Sequence, residues 1–496
     1  MFEPDIAPSA TLLGLLQRGR GDGTLHALAA ERPDALAALD ACVTCDPRRD
    51  WRTESRSLYY ARLYSELEAP LDGIEAHLFH PEDLAAGGTG VPAAGTGGAG
   101  SGPDESRTGL ALSVLGHLAA YGRRDALGLL RRYTASGANW AWALDELALR
   151  DDDAALMRLA PAVLDRFPAG PEGDAALRAA VRDAYEPRPW RLWAAAHPRI
   201  AAAGEQAPFD LWQRQLNRTS AAPGWGAAEV LAWADRAAED DPAVPARDAV
   251  RRRAAAAARC LAAVAGPDDR PLLVDAARCG AEGARRAALR HLLDRDDPAV
   301  PDLVELAAVD PDRRIVEAAL ELVGLMRGPA AVGHARRWAD PATGGADSAL
   351  GEAAARLLAD AGDERDAPLV TDALRRWIAA RGADGDGLGC LVDGAGRLGA
   401  AGAVAALRYV YAETVSSQLR GRAARALAAT DPYFPAGPAV ECLWDCEEST
   451  RELAARHVAT TGDARVLERL RRLAADPAEE AEVHAAVRGR LTSAPR

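Results

Sequence analysis

The chain has 496 residues, with 59 basic and 73 acidic side chains and a net charge of −14; every basic residue is Arg and none is Lys. Hydrophobic residues make up 49% but aromatics only 5%, so Ala, Leu and Val carry the apolar content. This composition excludes an aromatic-rich β-sandwich, and the lack of any long apolar run excludes a membrane span. The net negative charge repels phosphate and disfavours bulk nucleic-acid binding. Seven Cys, an odd number thinly spread, argue for a reducing compartment over a disulfide framework. The start Met1-Phe2-Glu3-Pro4-Asp5 has no positive region, and the apolar stretch from Leu12 to Leu16 is short for a signal peptide. Together these predict a cytoplasmic protein, and the Arg-only, Ala- and Gly-rich usage points to a high-GC, bacterial coding sequence.

In chain order, residues 1–83 form a predicted N-terminal helical segment, with amphipathic runs at 57–67 and 71–79. Residues 84–107 are mostly Gly, Ala, Thr and Ser. They bury too little apolar surface to offset ordering entropy, which predicts a disordered loop. Residues 108–246 hold helical pairs and a Pro- and Trp-rich junction; Leu115 with Leu118 recurs as Leu144 with Leu147. Seven of the 11 Trp lie in or near that junction: Trp140, Trp142, Trp190, Trp193, Trp212, Trp225 and Trp233. They predict a local core, with a binding groove as the alternative.

Residues 247–496 repeat. A helix with paired small residues recurs around Ala257, Ala288, Ala319, Ala354, Ala395, Ala424, Ala455 and Ala486, at intervals of 31, 31, 35, 41, 29, 31 and 31. Apolar residues fall one before and three or four after each anchor, which is helical spacing. Each anchor helix except the last is followed by a break and a second amphipathic run, such as 272–277, 369–377, 404–410 and 466–473. Gly266, Gly362 and Gly462 are candidate positive-φ stops. The pairs Asp297-Pro298, Asp310-Pro311, Asp340-Pro341, Asp431-Pro432 and Asp476-Pro477 are candidate helix starts. Neither helix of such a pair can bury its apolar face alone, so the expected fold is all-α, an α-solenoid of stacked helical hairpins behind an irregular helical N-terminal part.

The repeats resemble the HEAT family, in particular the short, Ala-rich phycobilisome-lyase HEAT-like repeats. The match is closest at Arg397-Leu398-Gly399 followed by Ala403-Val404-Ala405-Ala406-Leu407. The stretch Asp431-Pro432-Tyr433-Phe434-Pro435 departs from the pattern, as does the Gly-rich 382–389 segment inside the 41-residue interval. The resemblance implies a scaffold or adaptor that binds a protein through its solenoid surface. It also implies alternatives: an enzyme on a HEAT-like scaffold, of the alkylpurine DNA glycosylase or bilin lyase kind, or a structural subunit of a larger assembly.

No motif supplies a catalytic constellation, a cofactor site or a metal site, so none is expected. Gly394-Ala395-Gly396-Arg397-Leu398-Gly399 spells a dinucleotide fingerprint, with Glu413 at a suitable distance. It lacks a surrounding βαβ unit and lies in register with the anchor helices. Cys42-x-x-Cys45 with His77-x-x-His80, and Cys442 and Cys446 with His457, are spaced unlike a compact metal site. Asp384-Gly385-Asp386-Gly387 lacks the remaining ligands of a calcium loop. Asp151-Asp152-Asp153 and Glu239-Asp240-Asp241 read as helix-start or solvated charges.

One constellation emerges from the alignment. The position two after each anchor reads Arg259, Arg290, Glu321, Arg356, Arg397, Ala426, His457 and Arg488. Two residues turn the helix by about 200°, so this position faces away from the buried anchor. The resemblance places that face on the concave side of a HEAT stack. Arg259, Arg290, Arg356, Arg397 and Arg488 are therefore the candidate partner-binding residues, suited to an acidic protein partner through bidentate contacts. The competing reading is local pairing, Glu352 with Arg356 and Asp393 with Arg397, which leaves the like-charge neighbours Arg286 and Arg290 unexplained. Nothing in the pattern sets the oligomeric state.

Overall fold

The structure, a computed structural model, describes residues 6–48, 56–87, 105–205, 225–235, 246–385, 387–461 and 463–493. Among the described residues it contains 29 α-helices, short 3-10 turns and no strand. No described helix is long and apolar enough to cross a membrane. Packing divides the chain into two compact units. The first comprises Met1–Phe209 with Val410–Ala428 and Pro432–Arg496, and the second Asp210–Tyr409 with Ala429–Asp431. This partition cuts across the sequence segments 1–83, 84–107, 108–246 and 247–496, because the N-terminal helices pack with the last repeats. Within the 84–107 segment, 84–87 finish the helix Pro81–Gly87 and 105–107 open the helix Glu105–Ala120; residues 88–104 lie outside the described residues.

The second unit is a stack of helical hairpins. Its anchor helices Ala246–Val264, Glu282–Asp294, Arg313–Val323, Ala349–Ala361 and Leu388–Arg397 each pack on the next. The intervening helices Arg270–Cys279, Val300–Ala308, Gly328–Trp338 and Ala367–Arg381 each pack on the anchor helix that follows. Ala257, Ala288, Ala319, Ala354 and Ala395 are fully buried between them. A methyl group fills little volume, so the helices approach closely and each interface contributes modestly; stability accumulates over many neighbours. Caps define the starts: Ser348 Oγ accepts from Gly351 N at 2.9 Å, and Asp312 Oδ1 from Arg314 N at 2.9 Å.

The glycines of the 394–399 motif serve this packing. A Cβ on Gly394 would lie 2.6 Å from Ala359 Cα and 2.8 Å from Ala359 O on the preceding anchor helix. Gly399, at φ +60, ends the run in the left-handed region. Gly394→Ala is therefore expected to destabilise the protein by about 1–3 kcal/mol through overpacking, despite the better helix propensity of Ala. A urea titration checks this, and a stabilised variant would mean that the two helices are free to separate.

Three local expectations are corrected. Gly266 (φ −97) and Gly362 (φ −71) are not left-handed, and Gly462 lies outside the described residues. At Gly362 small size is what counts, since a Cβ there would crowd Leu358 O at 2.5 Å. The Asp-Pro pairs mostly close side-chain turns ahead of the helices: Asp297 accepts from Ala299 N, Asp310 from Asp312 N and Asp476 from Ala478 N, each at 2.9 Å. In the last repeat the register slips by one. Val483 and Val487 are buried, and Ala486 is only half-buried, because the i, i+4 valines take the core-facing positions.

In the first unit, Glu105–Ala120 packs on Ser57–Glu66, Arg124–Ser136 and Trp140–Arg150, while Glu448–His457 packs on Ala481–Ser493. One hydrophobic core runs from Leu16 through Tyr60, Leu115 and Trp193, and includes Cys446. Trp190 and Trp193 belong to it and Trp140 and Trp142 pack against it, whereas the Trp225 and Trp233 rings stand 6.1 Å from each other in the second unit. Trp190 stands edge-on to Trp193 at 5.1 Å and to Trp140 at 6.3 Å, and Trp193 Nε1 donates to Leu156 O at 2.9 Å. Trp212 lies outside the described residues. The N-terminal turn reaches the C-terminal helices directly. Cys446 N donates to Gly19 O at 3.0 Å, and Gly19 holds φ +66.

Candidate partner-binding surface

The position two after the anchor is solvent-facing through most of the second unit, but its arginines have different fates. Arg259 is exposed and forms no ion pair among the described residues. Arg290 is exposed and pairs with Asp294, Nε to Oδ1 2.9 Å. Glu321 receives Arg286 Nη1 at 3.1 Å and also pairs with Arg251. Arg356 is half-buried. Its expected partner Glu352 gives both carboxylate oxygens to Arg381 at 3.0 Å each, so Arg356 stays 3.8 Å away and lies 5.9 Å from the Trp377 ring centroid.

Arg397 is recruited to the fold. Its guanidinium donates to Leu358 O (3.1 Å), Ala359 O (3.0 Å) and Gly362 O (2.9 Å), carbonyls at the end of the preceding anchor helix. Leu358 O also accepts from Gly362 N at 2.8 Å, and the guanidinium adds to that bond as a C-terminal cap supplied by the next repeat. Arg397→Ala should cost about 1–2 kcal/mol in a thermal or urea melt, with Arg397→Lys intermediate because one ammonium cannot span all three carbonyls. Equal stability of all three proteins would remove the capping role.

In the first unit the equivalent positions diverge. Ala426 is buried, His457 stands edge-on to Phe434 at 6.1 Å, and Arg488 is exposed with no ion pair among the described residues. The like-charge pair Arg286 and Arg290 is also accounted for. Arg286 is buried and donates to Glu282 at 3.1 Å, Glu321 and Arg314 O, whereas Arg290 turns to Asp294.

Buried arginines at the start of anchor helices form a second set, which the column reasoning missed. Arg285 reaches Asp310 at 2.7 Å, Arg420 reaches Asp445 at 2.8 Å, and Arg451 reaches Glu479 at 2.7 Å. Each acid lies in the turn leading into the next anchor helix. Burial pulls the Arg420 guanidinium down, but the charge of Asp445 outweighs it and holds the cation above its ordinary range. A signal was present: Arg420, Ala424 and Leu427 occupy i, i+4 and i+7, so this Arg falls on the apolar stripe.

The remaining candidates are also placed. Burial pushes the Cys42 thiol up to about 12 and raises those of Cys442 and Cys446, against nucleophilic use. His77 Nε2 bonds Arg107 O at 2.8 Å, and Glu413 accepts from Ser9 Oγ at 2.8 Å. Asp152 caps the helix Asp153–Leu164 by accepting from Ala155 N at 2.7 Å. Asp386 and Glu239-Asp240-Asp241 lie outside the described residues.

No protein-family model matches the chain, and no curated protein matches it. Among solved structures, the chain is similar to one from work on the phosphorylation switch that controls the interaction between cadherin and beta-catenin. That likeness has 13% identity over 97% of this chain and 99% of the other, with a TM-score of 0.26. A score that low carries no assignment of function.

Proposed function

We propose that this helical-repeat chain is a non-catalytic scaffold of the HEAT-like kind that binds an acidic protein partner through the exposed faces of its anchor helices. The observation that carries the reading is the placement of Arg259 and Arg290. They are exposed on two anchor helices that pack directly on one another, Ala246–Val264 and Glu282–Asp294. Among the described residues Arg259 has no acid to give up, and Arg290 only one exposed i, i+4 pair, worth about 0.3–0.5 kcal/mol. Both guanidinium groups can therefore engage a partner carboxylate at little cost. Arg488 offers a separate exposed cation, while Arg356 and Arg397 are largely committed within the fold. Affinity capture with the wild type and the Arg259→Glu, Arg290→Glu double variant tests the reading. A protein retained by the wild type, released by salt and at least tenfold depleted on the variant is expected; identical captured sets would overturn it.

A further inference from the structure

The first unit carries a cleft of about 780 Å³ whose walls come from both ends of the chain. Arg62, Ser65, Glu66, Glu68, Tyr121 and Arg123 form one side, and Arg469, Arg472 and Asp476 the other. Nearly every charge in it is matched. Arg62 holds Asp476 at 2.8 Å and Glu479 at 3.0 Å, and Arg472 holds Glu66 at 3.0 Å and Glu468 at 3.2 Å. Arg123 is paired with Asp125.

Arg469 is the buried exception. It is 8% exposed, its Nε donates to Leu443 O at 3.1 Å, and its guanidinium carbon lies 5.3 Å from the Trp444 ring centroid. It has no carboxylate partner, and its two terminal nitrogens have no hydrogen-bond partner among the described residues. A buried guanidinium without an acid is costly, and this one borders a space large enough for a small organic molecule. We propose that the cleft is a binding site for a small molecule bearing an oxyanion, a phosphate or a carboxylate, which is received by the terminal nitrogens of Arg469.

The local chemistry supports the assignment. Burial, with Arg62 and Arg451 nearby, pushes the Arg469 guanidinium down to about 9, the direction expected of a cation that lacks its counter-charge. A planar, two-pronged donor matches either oxyanion, and Tyr121, Ala475 and Pro477 offer contact surface for the rest of a ligand. Glu68 also lines the cleft without an ion pair among the described residues, but it is exposed to solvent.

The experiment titrates the full chain with sodium phosphate and with sodium succinate by calorimetry, at ionic strength held constant with sodium chloride. Saturable binding of either anion, weakened at least tenfold in Arg469→Gln, is the expected result; which anion binds distinguishes phosphate from carboxylate. Ser65→Glu, on an exposed wall position, places a competing charge in the cleft without touching the buried Arg and should weaken binding equally. Glu68→Gln should strengthen it. No saturable binding to the wild type, or binding indifferent to both Arg469→Gln and Ser65→Glu, would overturn the proposal.

Discussion

Asp445→Asn is expected to lower the unfolding free energy by about 3–5 kcal/mol, the cost of leaving one member of a buried ion pair uncompensated. Both side chains of the Arg420–Asp445 pair are 0% exposed. Asn keeps the shape but removes the charge that balances the guanidinium, which donates through Nε at 2.8 Å and Nη2 at 3.1 Å. The same Nη2 reaches Gly19 O at 3.3 Å, so the variant also loosens the N-terminal turn from the C-terminal helices. Urea unfolding at neutral pH gives the magnitude. Site-resolved labelling of Cys446, buried and bonded through its N–H to Gly19 O, should report the loosened turn as faster modification. Arg420→Met with Asp445→Leu removes both charges and should cost less than the single change. A double variant worse than Asp445→Asn would mean that geometry, not charge, dominates the site.

Much of the architecture was legible because a hairpin stack is locally encoded. Ala257 through Ala455 recur at intervals of 29 to 41 residues, and their burial follows from helical spacing around each anchor. The junction of the first unit was not legible, because no local pattern marks a contact such as Gly19 with Arg420, 401 positions apart. The surface arginines show the same divide. Two residues past an anchor does point outward at Arg259 and Arg290. Yet a long guanidinium chooses its partner from whatever the adjacent repeat supplies, and at Arg397 that is a row of helix-end carbonyls. Arg469 was the most readable of the missed residues, since Val466, Leu470 and Leu473 set the buried stripe on which it falls.

The exclusive use of Arg, at first a matter of coding, acquires a structural reason in these ties. Asp310 closes its own turn through Asp312 N while holding Arg285. Asp445 does so through Glu447 N while holding Arg420, and Glu479 through Glu480 N while holding Arg451. One carboxylate thereby fixes a turn and fastens it to the preceding anchor helix. A guanidinium fork can donate two aligned bonds and still reach a carbonyl, which an ammonium point charge cannot do. Arg451 illustrates it, donating to both Glu479 oxygens and to the carbonyls of Asp445 and Cys446.

That arrangement makes stability depend on pH in a defined window. Burial alone would raise the Glu479 carboxyl, but the hydrogen bonds and charge of Arg451, with Arg62 beyond, outweigh it and hold the group at about 2, against 4.5 for a free Glu. The folded state therefore binds this proton less tightly than the unfolded state. The ionised pair contributes its full stability above about pH 4.5, and that contribution is lost as pH falls through about 2. The difference is worth on the order of 3 kcal/mol at neutral pH. Glu479→Gln, which also strands the buried Arg451, should destabilise the chain by about 3–5 kcal/mol at pH 7. Because the variant has no proton to take up there, its deficit relative to the wild type should shrink steadily between pH 5 and about pH 2. Parallel stability curves across that range would show that Glu479 binds its proton equally well in the folded and unfolded protein, and the tie between the last two anchor helices would then gain nothing from its charge.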